Sequence, residues 1–327
     1  MPLSSETVDA TSINLDIATF FNLKNPSRIR RDAAIKLSGR SYLPKIDDPR
    51  SDWVASVAVP AFLALAQTGI EAQDFCSIGT GAGLDALAAI EILKARNVII
   101  TDLHDDVVSL ARHNIINNTV SARELTVYTG VGDLLSPILD EHIKLDLLYE
   151  NLPNIPISDG CNLKDGQTSS TFIAERREAV PEFVRRYLIE LHYVALKQAY
   201  PLLKPGGRAL SSIGGRIPLE VIVQLGRELG YSSEILTFTW KKQSEPEEVI
   251  GGYAQWEKQG LGPFRFYPAS VLAEIFGSMA DVAAGAQAQE IERALYPFEM
   301  SASEALAALA SREPIGHTVA VLESVKR

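Results

Sequence analysis

Residues 74 to 83, Asp-Phe-Cys-Ser-Ile-Gly-Thr-Gly-Ala-Gly, constrain this chain more than any other stretch. A short apolar run, Phe75 to Ile78, meets three alternate glycines, Gly79, Gly81 and Gly83. An Ala/Leu-rich stretch, Leu84 to Leu93, follows at once. The pattern predicts a buried strand that turns sharply into a helix. Such a turn gathers backbone N–H groups and the positive helix end at one point. Glycines there let a ligand approach the backbone without a side chain in the way. This is the build of a nucleotide-type cofactor site.

The spacing narrows the ligand. A dinucleotide turn wants G-x-G-x-x-G, whose last glycine lets helix and strand pack closely. Here the third glycine comes one residue early, and Leu84 stands where the last should be. Further strands follow in order. Asn97 to Asp102 is β-branched and apolar and ends in an acid; Leu125 to Tyr128 leads into Gly130-Val131-Gly132-Asp133; Leu145 to Tyr149 leads into Glu150-Asn151-Leu152-Pro153-Asn154; Lys204-Pro205-Gly206-Gly207 precedes Ala209 to Ile213. Taken together, these motifs at strand ends resemble class I S-adenosylmethionine (SAM)-dependent methyltransferases across residues 74 to 213.

The resemblance implies a set of contacts. SAM would lay its methionine part over Gly79, Thr80, Gly81 and Gly83, its ribose on Asp102, and its adenine near Leu103, Asp133 and Leu134. Asp102 also suits the N-cap of a helix starting near Asp105, and Asp133 also suits a turn. One position departs from the family. Where the family carries an acid, two residues before the first glycine, this chain has Ser77. Asp85 could supply the missing charge from the first helical turn, where the helix dipole favours an acid in any case.

The segment Glu150 to Asn154 stands where methyltransferases acting on planar nitrogen carry N-P-P-Y. There an Asn side chain holds the hydrogens of the target amine or amide and aligns its lone pair, an orientation effect that lowers the barrier. Asn151 and Pro153 match; Leu152 and Asn154 replace Pro and Tyr. The lost aromatic removes a stacking face and weighs against adenine or peptide glutamine. Tyr149, Glu150 and Asn151 are the candidate catalytic residues, with Asn151 also near the cofactor. Glu150 suits a cationic substrate group or a general base; it equally suits a helix cap or a partner for Arg176 or Arg177. His192, in an amphipathic stretch from Glu175 to Pro201, reads as a packing or surface residue.

Charge and composition bound the partners. The 327 residues carry a net charge of −10, whereas nucleic-acid-binding domains usually show a basic footprint. A small-molecule substrate is expected, with no nucleic acid and no membrane partner; a homodimer is left open. Cys76 and Cys161 cannot form a disulfide scaffold, and no metal-ligand spacing exists. No signal peptide is visible, and Trp53 to Ala66 is shorter than the ~20 apolar residues of a membrane span. A cytoplasmic protein is expected.

The fold class expected is α/β: a Rossmann-like, seven-stranded, mostly parallel sheet with helices on both faces. Residues 1–50 read as a helical extension; from Lys24 to Arg50 within it, Lys24, Arg28, Arg30, Arg31, Lys36, Arg40, Lys45 and Arg50 outnumber Asp32, Asp47 and Asp48. Residues 51–243 form the SAM-binding core, with Ser51 capping a helix to about Thr68 and a long polar loop from Ile155 to Thr171. Residues 244–315 are an inserted segment with helices, in which Gly251-Gly252-Tyr253 reads as loop and Ser301-x-x-Glu304 as a capping box. Residues 316–327 are the last strand, split from Ser233 to Trp240 by that insertion.

The reading is an enzyme transferring methyl from SAM, leaving S-adenosylhomocysteine, to a nitrogen of a small amino-acid-like or guanidino substrate. Alternatives are a glutamine-type protein N-methyltransferase, a non-catalytic SAM-binding scaffold and, from another class, an NAD-dependent oxidoreductase. The last lacks its final fingerprint glycine.

Overall fold

The computed structural model describes residues 11–157, 171–173 and 178–327. The chain divides into two compact units, Met1–Leu147 and Leu148–Arg327. The fold is mixed α/β, with helices and a mostly parallel central sheet. The sheet has eight strands rather than the expected seven, because a two-residue strand joins it within the insertion.

The first unit opens with two antiparallel strands, β1 (Thr11–Asp16) and β2 (Asp32–Leu37), joined through a short helix α1 (Ile17–Phe20). The basic N-terminal stretch is therefore not the helix expected from sequence. Its strands alternate: Ala33, Ile35 and Leu37 are buried while Asp32, Ala34 and Lys36 are exposed, the period of a half-buried strand. The free edge of β2 is closed by side chains. Asn118 bonds the Ala34 N–H and carbonyl at 3.1 and 3.0 Å, and Asn114 bonds those of Lys36 at 2.8 Å each. Two asparagines one helical turn apart thus replace a missing strand.

Asp52, not Ser51, caps the next helical segment: its Oδ1 accepts from the N–H groups of Val54 and Ala55 at 2.7 and 3.0 Å. A π-turn (Val54–Ala58) runs into α2 (Val59–Gln67). Then β3 (Asp74–Ile78), α3 (Leu84–Ile92), β4 (Asn97–Asp102), α4 (Asp105–Asn118) and β5 (Thr126–Val131) alternate. β3, β4 and β5 pair in parallel, in that order. Val98, Ile99, Ile100 and Thr101 of β4 are all buried, as the continuous apolar run predicts. Cys76 is buried in β3, as expected of a strand residue; Cys161 lies outside the described residues. β6 (Leu145–Glu150) carries the boundary between the units.

In the second unit, the ends of the expected loop at 155–171 are short strands, β7 (Ile155–Ile157) and β8 (Thr171–Ile173), paired in parallel; the rest of that loop lies outside the described residues. Two helices follow, α5 (Glu182–Arg186) and α6 (Glu190–Leu202). The Lys204 to Gly207 turn is absorbed into β9 (Leu203–Gly215), which leads to α7 (Leu219–Glu228) and β10 (Ser232–Lys242). The inserted segment is helical: α8 (Pro246–Lys258), β11 (Tyr267–Pro268), α9 (Ala269–Phe276), α10 (Asp281–Ala286), α11 (Ala288–Leu295) and α12 (Ala302–Ala310). The final strand, β12 (Ile315–Val325), pairs antiparallel with both β9 and β10. The expected split hairpin is β10 and β12, from Ser232 opposite Val325 to Lys242 opposite Gly316. Gly251 and Gly252 lie inside α8 and not in a loop. Burial of Val249, Ile250, Tyr253 and Ala254 on one face stabilises that helix despite the glycines. Among the described residues, no helix is long and apolar enough to cross a membrane.

Candidate functional site

Two constellations stand out, one in each unit. In the first, β3 ends at Ile78 and α3 begins at Leu84, with the glycine turn between them. Gly81 and Gly83 have φ of +50° and +77°, a region where an L side chain is strained. At Gly83 an added Cβ would stand 3.2 Å from the Ala111 carbonyl and Ile115 of α4, so the early glycine also permits close helix packing. At Gly81 it would meet open space within 4 Å; there the backbone is free to be approached.

The acids converge on this turn. Asp102 Oδ2 accepts from the Gly81 N–H and Oδ1 from the His104 N–H, both at 3.3 Å. These bonds leave further acceptor sites on each oxygen. Burial raises the Asp102 pKa above its ordinary value, the two backbone bonds opposing it. Gly132 N–H donates to the Asp102 carbonyl at 2.9 Å, which places Asp133 next to it in the chain. Asp133 is exposed, Leu134 is buried and Leu103 is 59% exposed. The helix N-cap expected as an alternative for Asp102 falls to His104, which makes no side-chain cap bond.

Ser77 and Asp85 meet. Both are buried, and the Ser77 hydroxyl donates to Asp85 Oδ2 while the Ala86 N–H donates to Oδ1 at 2.8 Å. An acid from the first turn of α3 thus stands beside the serine of β3. No basic side chain pairs with Asp85 among the described residues. Burial pushes its pKa up to about 6, with the Ser77 bond opposing. Thr80 is buried beside it.

In the second unit, Glu150 closes β6 and is fully buried. It does not stand open as a base. His192 Nδ1 lies 2.8 and 2.9 Å from its two carboxylate oxygens, and His192 Nε2 lies 2.9 Å from Asn154 Oδ1. His192, expected as a packing or surface residue, is fully buried on α6 and joins Glu150 to Asn154. Its position carries a signal: His192 shares the helix face of Ala195, Leu196 and Ala199, all buried, so a polar ring stands in an apolar stripe. Arg176 and Arg177, the alternative partners for Glu150, lie outside the described residues.

Tyr149 is buried, and its hydroxyl oxygen accepts from Ser212 Oγ of β9 at 3.0 Å. Asn151 is half-buried, and no side chain among the described residues bonds it. A residue the sequence did not single out is Arg216, after β9 and 5% exposed. Its Nε and Nη2 donate to Gln243 Oε1 at 3.1 and 2.7 Å, and its guanidinium lies 5.3 and 6.0 Å from the ring centres of Tyr253 and Phe266. No carboxylate among the described residues pairs with it, and burial lowers its pKa. The aromatics of the insertion therefore do more than fill a small core.

No family model matches the chain. A bifunctional methyltransferase from Rickettsia typhi is 26% identical over 163 residues, 50% of this chain and 29% of that protein. A release factor glutamine methyltransferase from Bacillus anthracis is 31% identical over 135 residues, 40% of this chain and 45% of that protein. A methyltransferase structure from Pyrococcus furiosus superposes with a TM-score of 0.37 at 19% identity, covering 56% of this chain and 77% of that one. The chain thus spans less than half the length of the curated relatives it matches. With its glycine turn, the acids bound to that turn and these relatives, the chain resembles the class I SAM-dependent methyltransferases.

Proposed function

We propose that the protein is an enzyme that transfers methyl from SAM to a nitrogen of a small amino-acid-like or guanidino substrate. The observation that carries this reading is the glycine turn with two acids on it: Asp102 on the Gly81 N–H and Asp85 on Ser77. The residues present fit the ligand. Asp85 is a buried carboxyl with no cation among the described residues, which suits an ammonium group. Asp102 keeps acceptor sites that suit ribose hydroxyls. In this reading Gly79, Thr80, Gly81 and Gly83 hold the methionine part, and Leu103, Asp133 and Leu134 the adenine.

When bound, SAM supplies an electrophilic methyl carbon. The chain's residues orient the nucleophile: Asn151 and Asn154 offer amide groups to its N–H or adjacent oxygen. The donor would leave as S-adenosylhomocysteine, and the acceptor nitrogen's proton would pass to water. Glu150 and Tyr149, buried and already bonded, serve by holding this frame. The amino-acid-like part of the reading rests on Arg216, a buried guanidinium without a carboxylate partner among the described residues, which suits a substrate carboxylate.

A second reading is methylation of a protein glutamine, favoured by the Bacillus anthracis relative, a release factor glutamine methyltransferase. Two experiments decide. Calorimetric titration should show binding of SAM and S-adenosylhomocysteine; binding of NADH alone overturns the methyltransferase reading. Mass spectrometry after incubation with methyl-deuterated SAM should find the label on a metabolite; label on a protein glutamine overturns the small-substrate reading.

A further inference from the structure

Arg216 takes a positive charge into the second unit, and the side chains that hold it there are neutral. It directly follows β9 and is buried. Its Nε and Nη2 donors converge on one oxygen, Gln243 Oε1. Gln243 is itself fixed: its amide nitrogen donates to the Ser244 carbonyl at 2.8 Å, and its backbone N–H to the Ile315 carbonyl at 2.9 Å. The Tyr253 hydroxyl bonds the guanidinium as well, and burial keeps that phenol protonated. The rings of Tyr253 and Phe266 flank the same group. Burial and the charges of Arg216 and Lys241 keep the nearby His317 ring neutral, so the charges recorded around it are positive.

A buried charge met only by neutral dipoles is costly, and an opposite charge bonded at two points offsets that cost. A guanidinium has five N–H donors in a flat fork. Gln243 takes two of them, and with Tyr253 taking one more, two remain, toward the Nη1 side of the fork. A Cβ on Gly214 would stand 2.2 Å from Nη1, so a glycine in β9 is what lets that end of the fork lie there. Two donors on one side of a guanidinium match the two oxygens of a carboxylate in spacing and in charge. An amide or hydroxyl oxygen fits at one point and brings no charge.

We propose that Gln243 and Tyr253 are positioning residues that hold Arg216 as a receptor for a free carboxylate, and that the methyl acceptor is a small molecule bearing one. The second half rests on the methyltransferase reading; the first does not. The receptor narrows that reading. A guanidino compound without a carboxylate leaves the Arg216 charge unmet, and a glutamine inside a protein chain has no carboxylate to offer. A free amino acid or a guanidino acid satisfies it. Ser212 of β9 bonds Tyr149 of the neighbouring β6, and Arg216 and Asn151 each follow that bonded pair by a few residues. Tyr253 and Phe266 belong to the inserted segment, which gives that segment a part in choosing the substrate.

The test reads the receptor first without catalysis. Nuclear magnetic resonance of the full chain should show the Arg216 Nε–H signal, identified by its loss in Arg216→Met, shifting as sodium acetate replaces sodium chloride at fixed ionic strength. Acetamide should leave it in place. Gln243→Glu puts a carboxylate of the chain where the amide stood; it should raise the melting temperature and abolish the response to acetate, and it serves alone if Arg216→Met does not fold. An Arg216 signal that ignores acetate, that moves as far with acetamide or inorganic phosphate, or that still answers acetate in Gln243→Glu overturns the receptor. The second readout is methyl transfer from labelled SAM. Label should enter free amino acids or guanidino acids and not their carboxamides. Arg216→Lys, which keeps the charge and loses the fork, should raise KM by about tenfold to a hundredfold with kcat little changed, the signature of a lost binding contact. Equal labelling of acids and carboxamides overturns the substrate half of the proposal. Wild type without methyl transfer overturns the proposed function instead, and leaves the acetate result standing.

Discussion

The glycine turn of the first unit and the buried histidine of the second are assembled by opposite means. In the turn, Ser77, Gly81, Gly83 and Asp85 come from one short stretch, and the backbone supplies most of the chemistry. Asp102, at the end of the neighbouring strand, completes it through a single N–H. The second cluster joins Glu150 to His192 across 42 residues of chain, and every bond in it is between side chains. A constellation built from backbone and near neighbours tolerates substitution with local losses. One built from buried polar side chains fails as a unit, because each partner left behind is unpaired in an apolar interior.

The largest expected effect tests that contrast directly. Glu150→Ala should destabilise the fold by about 3 kcal/mol, the scale of leaving a buried hydrogen-bonding partner, here His192, unsatisfied. Chemical denaturation measures it, and Glu150→Ala with His192→Leu should recover part of the loss. A loss under about 1 kcal/mol would show that the pair is not buried as a unit.

Asp85 should act through pH. Its folded pKa of about 6 lies above the ordinary 3.8, so the folded state binds the proton more tightly. Stability from this group is present below the unfolded value and is lost as pH rises through about 6. At neutral pH the charged, buried Asp85 then costs on the order of 3 kcal/mol. Asp85→Asn should therefore be the more stable protein at neutral pH, with the difference shrinking toward acid, in thermal melts across that range. Saturating SAM should reverse the ranking, since a bound ammonium group favours the charged carboxylate. A variant difference that is flat with pH would show that Asp85 is not desolvated.

Asp102→Asn keeps the shape of the turn and removes the charge. SAM affinity by calorimetry should fall by about 1.5–3 kcal/mol, roughly tenfold to a hundredfold in Kd, with stability little changed. An unchanged Kd would remove Asp102 from the ligand contacts. The smallest effect belongs to Ser301, whose hydroxyl accepts from the Glu304 N–H while Glu304 returns a bond to the Ser301 N–H at 2.8 Å. Ser301→Ala should cost about 1 kcal/mol in thermal denaturation and leave SAM binding unchanged. The box lies in the second unit and is as local as the glycine turn, so it separates locality from position in the chain.

The regions where sequence and structure part company follow the same line. β3, α3, β4 and α4 stand where the apolar runs and glycines predict, since propensity, period and burial agree there. The basic stretch before residue 50 shows the opposite. Its residues form strands because Asn114 and Asn118 of α4 satisfy the backbone edge of β2, and Glu91 accepts from the N–H groups of Ser27, Arg28 and Ile29. None of those partners is near in sequence. Gly251 and Gly252 punctuate the sequence like a loop, yet a Cβ at Gly251 would meet open space, so the helix around it is held by its buried face. At the candidate site, Glu150 was visible as an acid at a strand end, but its burial and its bond to His192 were not.

By itself the sequence determined the strand-turn-helix at residues 74 to 92, the acids at 85 and 102, and the hairpin split by the insertion. These depend on local conformational preference and on hydrophobic period, which neighbouring residues specify. Only the tertiary structure decided that Asp85 bonds Ser77, that Arg216 is buried without a carboxylate partner among the described residues, and that Glu150 reaches Asn154 through His192. The physical reason is that a polar side chain acquires its role from the partners it meets on burial, and folding selects those partners from distant parts of the chain.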